Sequence, residues 1–201
     1  MVYTNKEECK RTYEEYSNDL LLLLYTIKKS NIYGYVDGLL KLNKLVFLSE
    51  WFQLKAKLNG FNYKMYKWDM GPYDDEINVD FDYLKENGIV NFEKNKITLT
   101  NLGEEVVDKF IKNINENVLD KINFVSRRFA KLNAFVLKKI VHNMKMNIKG
   151  KIVKIDNMPN NRTLFLFDEL SNNINTRLPN EEVLEDFVFF IDKKQREELK
   201  D

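Results

Sequence analysis

Apolar positions in this chain recur mostly at helical spacing, with a few short stretches that alternate as strands do. Residues 7–29 set Leu20, Leu21, Leu23, Leu24 and Ile27 on one broad apolar face, which predicts a helix, and Asn31 and Gly34 break it. Asp37 is placed to cap a second helix reaching about Leu58. Its apolar set runs from Leu39 and Leu40 through Leu45 and Val46 to Trp51, Phe52 and Leu58, and covers nearly the whole circumference. A helix apolar all round is a buried one, so this element is expected at the centre of the fold, with Asn59-Gly60 as its stop. Phe61 to Trp68 alternates loosely and is strand-compatible. Gly71-Pro72 predicts a turn, with Pro72 at the first position of a helix over 73–86 whose stripe is Ile77, Phe81 and Leu84.

Two short strands, 89–92 and 97–99, flank a hairpin tip in which Asn95 can take positive φ. Thr100 or Asn101 then caps a helix, with Glu104 in capping-box position behind Asn101. Further helices are expected over 117–129 and 132–145. Beyond them, 150–155 and 163–167 read as strands joined by a turn over 156–161. Pro179 starts a final apolar helix carrying Val183, Leu184, Phe187, Val188, Phe190 and Ile191. The order helix, helix, helix, two-stranded hairpin, helix is that of a winged helix-turn-helix. The expected fold class is therefore α+β, mainly α-helical: a winged-helix-like core with a two-stranded wing and a C-terminal strand-plus-helix extension. Residues 1–145 form the core unit in this reading, and 146–201 the extension packed on it.

Composition narrows the function classes. The chain has 201 residues, 44% of them hydrophobic and 31% charged, values ordinary for one globular domain. Its single cysteine, Cys9, and single histidine, His142, allow no intrachain disulfide and supply no zinc ligand set. Cys9 lies in a polar stretch without an activating neighbourhood, and His142 is expected to be a structural, hydrogen-bonded histidine. No cofactor and no metal are expected. The longest apolar run, Leu20 to Tyr25, is far short of a membrane span, and residues 1–19 lack the basic region of a signal peptide. A cytoplasmic protein is the expectation, with no oligomeric state implied.

Three segments carry a resemblance. Lys41-Leu-Asn-Lys-Leu-Val-Phe-Leu-Ser-Glu50 resembles the Lys-Leu-x-Lys-Leu helix of the SocA-like or Panacea antitoxin domain, also described as phage-associated protein. Tyr66-Lys-Trp-Asp-Met-Gly-Pro-Tyr73 is similar to that family's aromatic and Gly-Pro signature, and Phe129 to His142 resembles a later helix of the domain. The likeness spans roughly 36–145. It departs from the family where many members carry Pro-Trp, which is not found after His142. The resemblance implies an antitoxin or adaptor, encoded beside a toxin or in phage-derived DNA. Such a protein contacts a protein partner, a toxin or a target handed to a protease, and is not an enzyme.

Charge weighs the partner classes. The 73–86 helix, third in order and so the one a winged helix would lay in the major groove, carries six carboxylates against Lys85. Phosphate would repel it. A protein-partner surface is expected instead at Tyr66, Trp68, Gly71, Pro72, Tyr73, Asp74, Asp75, Glu76 and Asp80. Positive charge lies elsewhere: from Lys121 to Ile155 there is no Asp or Glu. With a whole-chain charge of only +1, the rest is net acidic. A second patch, for nucleic acid or an acidic partner, is expected at Lys94, Lys96, Arg127, Arg128, Lys131, Lys138, Lys139, Lys145, Lys149 and Lys151. Phe124, Phe129, Leu132 and Val136 fall at helical spacing and are expected in the core, as are Trp51 and Trp68, unless Trp68 joins Tyr66 and Tyr73 in an exposed aromatic site. Two other readings compete with protein binding. One is a DNA-binding regulator using the basic 121–155 segment. The other is a metal-dependent enzyme using Asp74, Asp75 and Glu76.

Overall fold

The computed structural model describes residues 11–148, 151–164 and Phe187. Its first helix, α1 (Tyr13–Ser30), starts at a capping box: Thr12 Oγ1 accepts from the Glu15 N–H, and the Glu15 carboxylate accepts from the Thr12 N–H. Leu20 to Leu24 are all fully buried, so α1 is enclosed on every side over its middle turns. A two-residue strand, β1 (Val36–Asp37), leads into α2 (Gly38–Lys55), which is buried without a break from Lys41 to Glu50. The centre of the fold is thus a pair of helices rather than α2 alone. Asp37 precedes α2 but makes no side-chain cap; its carboxylate accepts from Asn95 Nδ2 instead. The helix ends before Asn59-Gly60, because Lys57 turns left-handed and the Leu58 N–H closes back on the Gln53 carbonyl.

Phe61, Tyr63 and Met65 alternate inward as expected, yet a ladder forms only at β2 (Tyr66–Trp68), paired antiparallel with β3 (Gly71–Tyr73). The reading of Gly71-Pro72 as a turn before a helix is corrected here. The turn is Asp69-Met70, Pro72 lies in β3 opposite Lys67, and α3 (Asp75–Glu86) starts after Asp74. Strands β4 (Val90–Glu93) and β5 (Lys96–Leu99) make the expected hairpin, with Lys94 and Asn95 both at positive φ, as a tight two-residue turn requires. β1 adds to the far edge of β5. Next come α4 (Asn101–Phe110), capped by Thr100 through the Gly103 N–H, then α5 (Glu116–Phe129) and α6 (Ala134–Asn143).

The last expected helix stops short of 145. Residues 145–148 instead form β6 (Lys145–Ile148), paired with β7 (Lys151–Lys154). The expected pairing of 150–155 with 163–167 is therefore replaced; Thr163 bridges to Tyr66, while residues 165–167 lie outside those described. The expected final helix also lies outside them, apart from Phe187, which is buried edge-on against Phe110 at 5.5 Å. The fold is α+β and mainly α-helical, as the hydrophobic pattern predicts. Its buried cluster runs from α1 and α2 through Phe81 and Val125 to Met146, Ile155, Leu164 and Phe187.

Candidate partner-binding site

The two motif segments of the sequence meet in space. Lys44, on α2, is 1% exposed, and its Nζ donates to the Pro72 carbonyl at 2.7 Å. Lys67, opposite Pro72, uses both backbone groups on its other side: its N–H donates to Arg162 O, and its carbonyl accepts from the Asn161 N–H. The β2–β3 ladder asks for no N–H at Pro72, so proline is tolerated in this strand and its carbonyl is left for Lys44. Gly71 has φ +93°, and a Cβ there would lie 3.1 Å from His142 Nε2 and 3.3 Å from Lys44 Cε. The left-handed backbone favours glycine, and any Cβ would crowd the His142 ring and the Lys44 stem. His142 is hydrogen-bonded, as expected for a structural histidine: Nδ1 is 2.6 Å from Asp156 Oδ1, while Nε2 is buried with no partner. Burial, helped by nearby Lys138, pulls the Lys44 amine down to about 7. The amine donates to the carbonyl in either protonation state.

The acidic helix α3 turns much of its charge inward. Asp74 is its N-cap, accepting from the Glu76 N–H and, with its other oxygen, from the Lys64 N–H. Asp80 is fully buried; it accepts from both terminal nitrogens of Arg11 at 2.8 Å and from the Tyr63 hydroxyl at 2.7 Å. The same guanidinium reaches Asp19 at 2.8 Å and Glu76 at 2.7 Å, and lies 5.4 and 5.0 Å from the ring centroids of Tyr16 and Tyr63. Two buried carboxylates thus share one cation. Burial pushes Asp19 up to about 7 against the opposing pull of Arg11, and raises Asp80 for the same reason. Glu50, also fully buried, has no partner for either oxygen among the described residues, and burial raises it well above the usual carboxylate range.

The expected protein-partner surface therefore loses four members: Gly71, Pro72, Asp74 and Asp80 are buried. Asp75 and Glu76 are exposed, with Val79 and Asp82 beside them on the outer face of α3. Trp68 is 45% exposed and does not join the core. Tyr66 and Tyr73 are half-buried and directly opposite in the β2–β3 ladder. The Tyr73 hydroxyl accepts from Asn78 Nδ2, and burial together with Asp75 pushes it up to about 12.

The basic residues stay outside. Arg127, Arg128, Lys131, Lys139, Lys145 and Lys151 are exposed and enter no ion pair among the described residues. Lys138 is half-buried, its Nζ 3.1 Å from Met70 Sδ, and Lys149 lies outside the described residues. Lys94 and Lys96 are exposed on the β4–β5 tip, in a different sheet from β6–β7. Of the aromatics expected in the core, Phe129 is buried and Phe124 is 42% exposed, edge-on to Phe52. Val136 is also on the surface, beside a 67% exposed Phe135.

Sequence reasoning missed Arg11, Tyr63 and Asp156. Arg11 meets Asp80 across 69 residues of chain, and no local pattern announces such a contact. Lys44 had a signal: a lysine inside a helix apolar all round has nowhere to go but a buried partner. Among the described residues no cluster of His, Cys, Asp or Glu is disposed to hold a metal ion, and no helix is long and apolar enough to cross a membrane. The family model for the antitoxin SocA-like, Panacea domain matches residues 42–146, from α2 to the start of β6. No curated protein and no solved structure matches the chain. The matched stretch holds both Lys44 and Pro72, whose carbonyl accepts from it, and the chain belongs to the antitoxin SocA-like, Panacea domain family.

Proposed function

We propose that this protein is a non-enzymatic antitoxin or adaptor that works in the cytoplasm by holding a protein partner. One observation supports the reading beyond family membership: most of the titratable groups around α3 and the Gly71-Pro72 strand are engaged in structural contacts. Asp80 and Asp19 neutralise Arg11, Asp74 caps α3, Lys44 is bonded to Pro72, and His142 is tied to Asp156. Of the enzyme alternative's Asp74, Asp75 and Glu76, the first is the buried cap of α3, and the other two sit on an open helix face with Glu76 already paired to Arg11. The test is affinity purification of the chain from its host, with mass spectrometry of bound proteins, and co-expression with a toxin-like neighbouring gene. A specific bound protein and restored growth are expected. Divalent-metal-dependent hydrolysis lost in Asp75→Ala would replace the reading with an enzymatic one.

A second reading has its own support. The acid-free run 121–155 suits a DNA-binding regulator, with Lys94 and Lys96 as wing contacts. A gel shift whose affinity falls steeply with salt would favour it.

A further inference from the structure

We infer that the outer stripe of α6 and the β6–β7 hairpin is the docking surface, and that its occupant is an acidic protein segment with apolar anchors. The inference rests on the protein-binding reading above and specifies its surface and partner class.

The stripe is continuous. Phe135, Lys139 and Asn143 follow one another at four-residue spacing on α6, so they lie along one face, and all three are exposed. Asn143 connects that face to the hairpin: its Oδ1 accepts from Lys154 Nζ at 3.5 Å. Lys154 lies directly across the ladder from Lys145, and Ile152, two residues back along β7, shares its side of the hairpin. The surface thus runs from an exposed phenyl ring, through three lysines, to an isoleucine that is 73% exposed.

Two features ask for an anionic occupant. Lys145 and Lys154 are like charges in directly opposed positions, an arrangement that repels. Among the described residues neither lysine is ion-paired, no Asp or Glu occurs from 121 to 155, and the first carboxylate beyond, Asp156, is taken by His142. Two features make that occupant a protein. Phe135 and Ile152 stand at the ends of the cationic stretch, where apolar side chains of a partner can bury them. Ile152 has no ring on which a base could stack, so it adds nothing to a nucleic-acid site.

The test uses the full chain and three probes: an acidic peptide alternating Glu with Leu and Trp, polyglutamate of equal length, and duplex DNA of matched charge. The acidic apolar peptide should bind about tenfold more tightly than polyglutamate. Phe135→Ser with Ile152→Ser should bring it down to the polyglutamate level. K139E/K145E/K154E should abolish binding of both, and the neutral set K139Q/K145Q/K154Q should weaken it by about tenfold. K94E/K96E should leave it unchanged. Each variant alters only exposed side chains, and thermal melting checks that it folds as the parent does. DNA binding more tightly than the peptide overturns the proposal in favour of nucleic acid. Peptide binding indifferent to the Phe135 and Ile152 changes overturns it as well. In the host purification, a protein retained equally by K139E/K145E/K154E removes this surface and leaves the protein-binding reading standing. If the unaltered chain retains no specific protein, the reading itself fails.

Discussion

Helices α3 and α6 carry opposite charge and put it to opposite use. In α3, Asp74 closes the first turn, and Asp80 is sealed in the interior against Arg11 and Tyr63. In α6 and the hairpin after it, Lys139, Lys145 and Lys151 meet no carboxylate among the described residues, and two lysines even face each other across a ladder. The acidic helix looks, in sequence, like the more obvious binding surface. The fold spends two of its carboxylates inside and leaves the basic segment open. Charge density therefore says little about availability; what matters is whether the chain itself supplies the counter-charge.

The largest effect expected comes from breaking the inward half of this comparison. Arg11→Met leaves Asp19 and Asp80 buried without their cation and should cost about 3–5 kcal/mol in urea unfolding at neutral pH. The deficit should shrink in acid, where both carboxylates can take up protons. A loss comparable to that of a surface ion pair would show that solvent screens the network.

Lys44 gives the next largest effect, read as a pH dependence. Its amine titrates near 7 when folded and near 10.5 when unfolded, so between those values the unfolded chain holds the extra proton. Stability should therefore rise with pH across that window, by up to about 1.4 kcal/mol per pH unit. Lys44→Met should flatten that rise. Equal slopes in the two proteins would mean that the amine is not desolvated.

A sharper contrast lies within α3 itself. Asp74→Ala removes the cap and the acceptor for Lys64 and should cost about 0.5–2 kcal/mol. Asp75→Ala, one residue on and exposed, should stay within about 0.5 kcal/mol of the parent. Similar losses in the two variants would dissolve the distinction between spent and open charge. The smallest effect belongs to the basic face. Lys145→Glu sets an opposite charge across from Lys154 and should raise stability by about 0.2–1 kcal/mol in thermal melts.

Much of the fold was legible because it is locally encoded. The apolar run through α2 announced a buried helix, and Asn95 in the hairpin tip suited a left-handed backbone, although Lys94 takes positive φ as well. The misreadings have physical causes too. Pro72 suited a helix start by its fixed φ, but its place was decided by a neighbouring strand that asked nothing of its missing N–H. The expected helix over 132–145 ends at Asn143 because residues 145–148 pair with 151–154, a partner that helical periodicity does not reveal. Of the candidate site, Asp75 and Glu76 lie on the surface, and so does Trp68, which the sequence left open between core and exposed site. Asp74 and Asp80 do not, because burial depends on what lies opposite.

The sequence alone determined the order of the helices, the central place of α2 and the segregation of negative from positive charge, since periodicity and composition act over a few neighbouring residues. Only the tertiary structure decided which charges were spent: Arg11 reaches Asp80 from 69 residues away, and Lys44 finds Pro72 from 28. A carboxylate's fate turns on the few ångströms around it, and those are set by segments that the chain brings together only when it folds.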